Sequence, residues 1–238
     1  MTGTGFTAYR HLVTPRPAEP TYEVDLNADP DTLILSEAFA RPGGSYVTGL
    51  APDALPDPPL DANSCVGRHD WAHGEPVNGV DADSTLALLS LTAHDHPVRV
   101  TGAEVHVDKA SSQPLAGTLI TCPGRGGNEP PHVIDVDLDS LQVFFLEAEA
   151  KPPTTMNVRI APHTTETFLI SAHLSRSWLR WRLELTIDDK TDHKLTIGPE
   201  GHSIGSGADH PSQKPFETTA GIGSVRVEFR NGKWEELP

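Results

Sequence analysis

Between residues 178 and 187 the chain alternates without a break. Leu179, Trp181, Leu183, Leu185 and Ile187 share one parity, and Arg180, Arg182, Glu184 and Thr186 share the other. A period of two is what a strand with one buried and one wet face requires; a helix would repeat about every 3.6 residues instead. The pattern returns in residues 166–174, where Phe168, Ile170, Ala172 and Leu174 are expected inside and Leu169, Ser171 and His173 outside. It returns again in residues 132–139, with Ile134, Val136 and Leu138 inside, and near the end, where Val225, Val227 and Phe229 alternate with Arg226, Glu228 and Arg230. Asn231-Gly232 then offers the residue pair of a type I′ hairpin turn before Trp234.

One strand changes phase. Val98 and Val100 share one parity, and Val105 and Val107 the other, with Gly102 between them. A bulge or kink at the glycine would return all four valines to one buried face. From Ser84 onward such segments follow one another with turn residues between them and no helical pattern, and the chain holds 22 prolines and 20 glycines. The expected fold is therefore all-β, an antiparallel immunoglobulin-like β-sandwich of seven or more strands over residues 63–238.

Residues 1–62 differ in character. They carry three basic against nine acidic residues and end in the proline-rich run Ala51-Pro52-Asp53-Ala54-Leu55-Pro56-Asp57-Pro58-Pro59-Leu60. Proline fixes φ and removes a backbone donor, so this run reads as an extended linker or a strap. Residues 22–26 and 32–39 are candidate strands, and Pro42-Gly43-Gly44 marks a turn before residues 45–50. The segment is expected as an irregular acidic arm packed on the sandwich, since about 60 residues bury little surface alone.

Charge narrows the function classes. Thirty-three acidic residues against 18 Lys and Arg give a formal charge of −15. That balance repels phosphate backbones and anionic lipid, so neither nucleic acid nor a membrane is the expected partner. There is no apolar run of 18 residues, and residues 1–10 lack a basic segment leading into an apolar one; the expected location is the cytoplasm. The two cysteines, Cys65 and Cys122, form neither a disulfide framework nor a zinc quartet.

Among motifs with chemical meaning, His69-Asp70-Trp71-Ala72-His73 is the sharpest. Two histidines four apart on a helix can reach one zinc ion, and an acid beside the first could serve as general base on metal-bound water. Here Asp70 stands where the familiar motif has Glu, Gly74 and Pro76 cut the helix short, and no third ligand follows at a recognisable spacing. His69, Asp70 and His73 are the candidate metal ligands, zinc being the cation such a set would take; no cofactor is otherwise expected. His94-Asp95-His96-Pro97 joins two expected strands, and His106 shares an outward face with Glu104 and Asp108. Histidines on neighbouring strands could converge on a metal, although loop and surface histidines are commoner. Asp135, Asp137 and Asp139 read as the wet face of an ordinary strand, and Asp25-Leu26-Asn27-Ala28-Asp29 departs from a calcium loop at its turn glycine and its bidentate Glu. Pro123-Gly124-Arg125-Gly126-Gly127 lacks the Lys-Ser/Thr of a phosphate loop, and no Gly-x-Ser-x-Gly elbow occurs. No catalytic residue is assigned.

Trp178, Arg180 and Arg182 lie on the outward face of the best-patterned strand. Tryptophan and arginine are enriched at binding hot spots, so these three are the candidate contact surface for a protein partner. The leading functional expectation is a non-enzymatic interaction or sensing module. The alternative is a metal-dependent hydrolase or metal-binding protein using His69, Asp70 and His73.

Several short stretches also carry a likeness: Gly79-Val80-Asp81-Ala82-Asp83-Ser84-Thr85, Val100-Thr101-Gly102-Ala103-Glu104-Val105, Val136-Asp137-Leu138-Asp139, Trp181-Arg182-Leu183-Glu184-Leu185 and Lys214-Pro215-Phe216-Glu217-Thr218-Thr219. In their order and spacing the chain, from about residue 58 to 219, resembles an uncharacterised actinobacterial β-sandwich domain that often follows a transmembrane or helix-turn-helix region. The resemblance implies a sandwich and an accessory role. It transfers no catalytic residue. Members often have cysteines before the strand that corresponds to Trp181, where this chain has Ser175-Arg176-Ser177.

Overall fold

A computed structural model describes residues 22–27, 44–59, 68–93, 95–121, 132–147, 155–189, 191–198, 201–204, 215–230 and 232–238. In chain order the strands are β1 (Tyr22–Asn27), β2 (Tyr46–Thr48), β3 (Val80–Ala82), β4 (Ser84–Ala93), β5 (Val98–Ser111), β6 (Thr118–Ile120), β7 (His132–Asp137) and β8 (Gln142–Glu147). They continue with β9 (Val158–Ile160), β10 (Thr165–His173), β11 (Trp178–Asp189), β12 (Thr191–Gly198), β13 (Gly201–Ile204), β14 (Phe216–Thr219), β15 (Val225–Arg230) and β16 (Lys233–Glu236). A single α-helix among the described residues, α1 (Arg68–His73), and a 3-10 turn at Pro52–Ala54 complete the set. The chain is all-β, as its periodicity requires. Among the described residues no helix is long and apolar enough to cross a membrane.

The strands form two sheets. One has the order β1-β4-β10-β7-β8. The other is built around β11, which pairs with β5 from Trp178 to Asp188 along one edge. The opposite edge of β11 is shared: its first residues, Trp178 to Trp181, pair with β14, and Leu183 to Asp189 pair with β12. The second sheet therefore divides at β11. One arm runs through β12 to β13, and the other through β14, β3, β2, β6 and β15 to β16.

The main core lies between the five-stranded sheet and the β5–β11–β12 region. Trp181, Leu183, Leu185 and Ile187 are fully buried against Leu89, Leu91, Ile134, Phe168 and Ile170 of the other sheet. At roughly 25 cal/mol per Å2 of apolar surface removed from water, such side chains dominate the folding free energy. The phase change in β5 is a bulge. Thr186 pairs with Gly102 and Ile187 with Val100, which leaves Thr101 as the extra residue. Val98, Val100, Val105 and Val107 consequently all meet the core. A second register shift leaves Asp108 extra between Val107 and Lys109.

Two expectations are corrected. The sheets are mixed rather than purely antiparallel: β10 pairs in parallel with β7, β14 with β3, and β15 with β6. Periodicity fixes which face a residue takes but says nothing about strand direction, and each parallel pair is separated in sequence by a long excursion, as parallel pairing demands. Leu169 and Ser171, expected on a wet face, are buried. Leu169 joins Leu86 and Val133 in a second apolar cluster, with Leu88 and Leu146 packed against it. The outer side of the five-stranded sheet is thus apolar at its centre.

Parts of the N-terminal segment enter the sheets. β1 forms an edge beside β4, and β2 lies between β3 and β6 with Tyr46 and Val47 buried. In the proline-rich run, Leu55 packs with Val77, Ile120 and Val227, and the Trp234 Nε1–H donates to the Pro56 carbonyl at 3.1 Å. β15 and β16 form the expected two-residue hairpin, with Gly232 at φ +77°. Residues 32–39, Cys65, His94 and Cys122 lie outside the described residues.

Candidate functional site

The outer face of the β5–β11–β12 region gathers most of the candidate contact residues. Because β11 alternates, every even-numbered side chain from Trp178 to Thr186 leaves the core on this side. Cross-strand register then sets their neighbours. Arg180 lies opposite Lys109, Arg182 opposite His106, Glu184 opposite Glu104 on one edge and Thr196 on the other, and Thr186 opposite Lys194.

Several charges on this face are matched. Arg180 Nε is 2.7 Å from Glu217 Oε1, and Arg182 Nη2 is 3.0 Å from Asp108 Oδ2. Lys194 Nζ is 3.0 Å from Glu184 Oε1 and 3.0 Å from the Thr186 hydroxyl. The Glu184 side chain is only 8% exposed, so its ammonium partner offsets a substantial desolvation cost. The solvent-exposed pairs contribute about 0–1 kcal/mol each and act mainly to hold the side chains in place.

Trp178 sits among these charges, and like Thr196 Oγ1 on the same face it carries a buried polar atom with no hydrogen-bond partner among the described residues. It is 7% exposed, and the cationic groups of Lys109 and Arg180 each lie 5.4 Å from its ring centroid, within cation–π range. Its indole Nε1–H is buried and has no hydrogen-bond partner among the described residues. An orphaned buried donor costs about 1–3 kcal/mol, and such groups are rare in folded proteins. Lys109, exposed beside it, has no ion pair among the described residues.

The outer face also draws together Glu104, His106 and Glu184, whose ligand atoms all lie within 4.8 Å of one another. His106 Nε2 is 3.6 Å from Glu184 Oε2. The sequence places Glu104 and His106 on one outward face and Glu184 on another, but their meeting depends on the β5–β11 register, which no local pattern encodes.

The His-Asp-x-x-His motif folds as α1, which ends at His73 as Gly74 foresees. The Gly79 N–H donates back to the Ala72 carbonyl at 2.6 Å and closes the turn. His73 Nε2 lies 3.1 Å from Asp81 Oδ1, and its ring meets Tyr46 edge-on with centroids 5.3 Å apart. The side chains of His69 and Asp70 lie outside the described residues.

Asp81 is the end of a buried hydrogen-bond chain. The Thr85 hydroxyl donates to Asp81 Oδ2 at 2.6 Å. Thr85 and Thr218 hydroxyls are 2.7 Å apart, and the Trp181 indole donates to Thr218 at 2.8 Å. A hydroxyl has one proton, so Thr85, having given its own to the carboxylate, accepts from Thr218. The chain runs Trp181 to Thr218 to Thr85 to Asp81. Its members come from three of the five short stretches noted in the sequence, which gives those stretches a shared structural role in tying β3, β4, β11 and β14 together.

Asp135, Asp137 and Asp139 serve the strand and its turn. Asp139 Oδ2 accepts from the Ser175 backbone and hydroxyl at 2.9 and 2.6 Å, and Asp135 Oδ1 lies 3.6 Å from His173 Nδ1. The Ser140 hydroxyl, with backbone donors of Ser140 and Asp139, holds the Asp137 carboxyl below its ordinary value against a smaller opposing effect of burial. No family model, curated protein or solved structure matches the chain.

Proposed function

We propose that this protein is a non-enzymatic interaction module whose contact surface is the outer face of β5 and β11, with Trp178, Arg180 and Arg182 at its centre. The observation that carries this reading is the orphaned indole donor of Trp178, buried with two cationic groups 5.4 Å from its ring centroid on a face that points away from the core. A partner that supplies an acceptor there relieves the desolvation cost of that N–H, and Lys109 and Arg180 favour an acidic acceptor. The ion pairs of Arg180 and Arg182 pre-order the surrounding side chains and reduce the entropy lost on docking. The immunoglobulin-like arrangement and the resemblance to the actinobacterial sandwich domain belong to the same proposal; the resemblance implies an accessory domain and transfers no catalytic residue. The hydrolase reading on His69, Asp70 and His73 draws less support, since the helix stops at His73 and His73 Nε2 faces Asp81.

The test is Trp178→Phe, which deletes the N–H and keeps an aromatic ring. Partners are captured on the wild-type protein and on the variant, and identified by mass spectrometry. The expected result is an unchanged or slightly raised melting temperature of the isolated variant together with loss of a partner that wild type retains. Retention of every partner by the variant would remove this surface from the account.

A further inference from the structure

We infer that Glu104, His106 and Glu184 form a binding site for a borderline divalent transition cation of the zinc class, independent of the contact role proposed for Trp178. Three observations converge on it. The three side chains offer one imidazole nitrogen and two carboxylate oxygens from two adjacent strands of a rigid ladder, all within 4.8 Å. The His106 Nε2 to Glu184 Oε2 separation of 3.6 Å is too long for a hydrogen bond. Two ligand atoms about 2.1 Å from one ion at a tetrahedral angle lie about 3.4 Å apart, close to that spacing. Finally, Glu184 is 8% exposed, and Lys194 takes its Oε1 at 3.0 Å. The second oxygen is left turned toward His106, in a setting where a desolvated carboxylate gains most from a cation.

The donor set selects among cations. Calcium requires six to eight oxygen ligands and magnesium a near-octahedral oxygen shell, whereas imidazole with carboxylate suits zinc and its neighbours. Glu104 and His106 are exposed, so the ion would keep a coordination position open to solvent. Lys194 opposes the cation electrostatically and stabilises the apo state, so the two compete for Glu184.

The experiment is calorimetric titration of the full chain with zinc chloride, repeated on His106→Ala, Glu104→Gln and Lys194→Ala. The chain holds twelve histidines that offer zinc other weak sites, so the readout is the difference from wild type. The His106 side chain is 52% exposed, and its replacement leaves the core untouched. The expected result is that His106→Ala loses one equivalent of zinc, that Glu104→Gln binds it about tenfold or more weakly, and that Lys194→Ala binds at least as tightly as wild type. Zinc should also raise the melting temperature of Lys194→Ala more than that of wild type. Equal stoichiometry and affinity in wild type and His106→Ala, or no zinc binding by wild type, overturns the inference.

Discussion

The indole Nε1 of Trp181 donates to the hydroxyl of Thr218 at 2.8 Å, in a place where both residues are fully buried. Thr218 passes the interaction on through Thr85 to Asp81. Replacing Thr218 with Val keeps the shape but leaves the Trp181 donor unpaired and takes a donor from Thr85. The expected cost is about 2 kcal/mol, read as a lower denaturation midpoint at constant slope. A loss under about 0.5 kcal/mol would mean that the chain of hydroxyls is not a stabilising connection.

Gly117 precedes β6 where the chain passes against the end of β2. A Cβ there would run into the Thr48 carbonyl oxygen, while at Gly49 it would meet nothing within 4 Å. Gly117→Ala should therefore destabilise by roughly 3 kcal/mol or more, and Gly49→Ala by well under 1 kcal/mol. Thermal unfolding of the two variants side by side checks the approach of β2 to β6, and equal effects would contradict it.

The turn after β7 has a pH signature. Hydrogen bonds from Ser140 and Asp139 hold the Asp137 carboxyl below its ordinary value near 3.8. A carboxyl depressed in the folded state contributes stability above its unfolded value, and that contribution is lost as pH falls through the lower folded value. Ser140→Ala removes the largest of these hydrogen bonds, so acid unfolding followed by circular dichroism should begin at a slightly higher pH. The site is near the surface, so the shift should be small. An unchanged or lower onset would contradict the assignment.

The faces of the strands were legible in the sequence where polar and apolar residues alternate, as in β11, and Gly102 announced the bulge in β5. In β4 the run Leu86-Ala87-Leu88-Leu89 is apolar on both parities, and such a run cannot declare which side it packs. It serves both the main core and the outer cluster with Val133 and Leu169. Strand direction was hidden because alternation is the same in parallel and antiparallel pairs. The site was half visible. Trp178, Arg180 and Arg182 were placed on one face by parity, but the orphaned indole, the Lys194–Glu184 pair and the approach of His106 to Glu184 depend on register and on two bulges, set by tertiary packing.

The contact surface is tested most directly by photocrosslinking. A benzophenone amino acid replaces Ser111, the cross-strand neighbour of Trp178 on β5, which leaves Lys109 and Arg180 in place, and in a second variant Ser140, exposed in the turn between β7 and β8. The account predicts that irradiation in native lysate gives a defined partner adduct from position 111 and none from position 140. An adduct from position 140 with none from position 111 would contradict it.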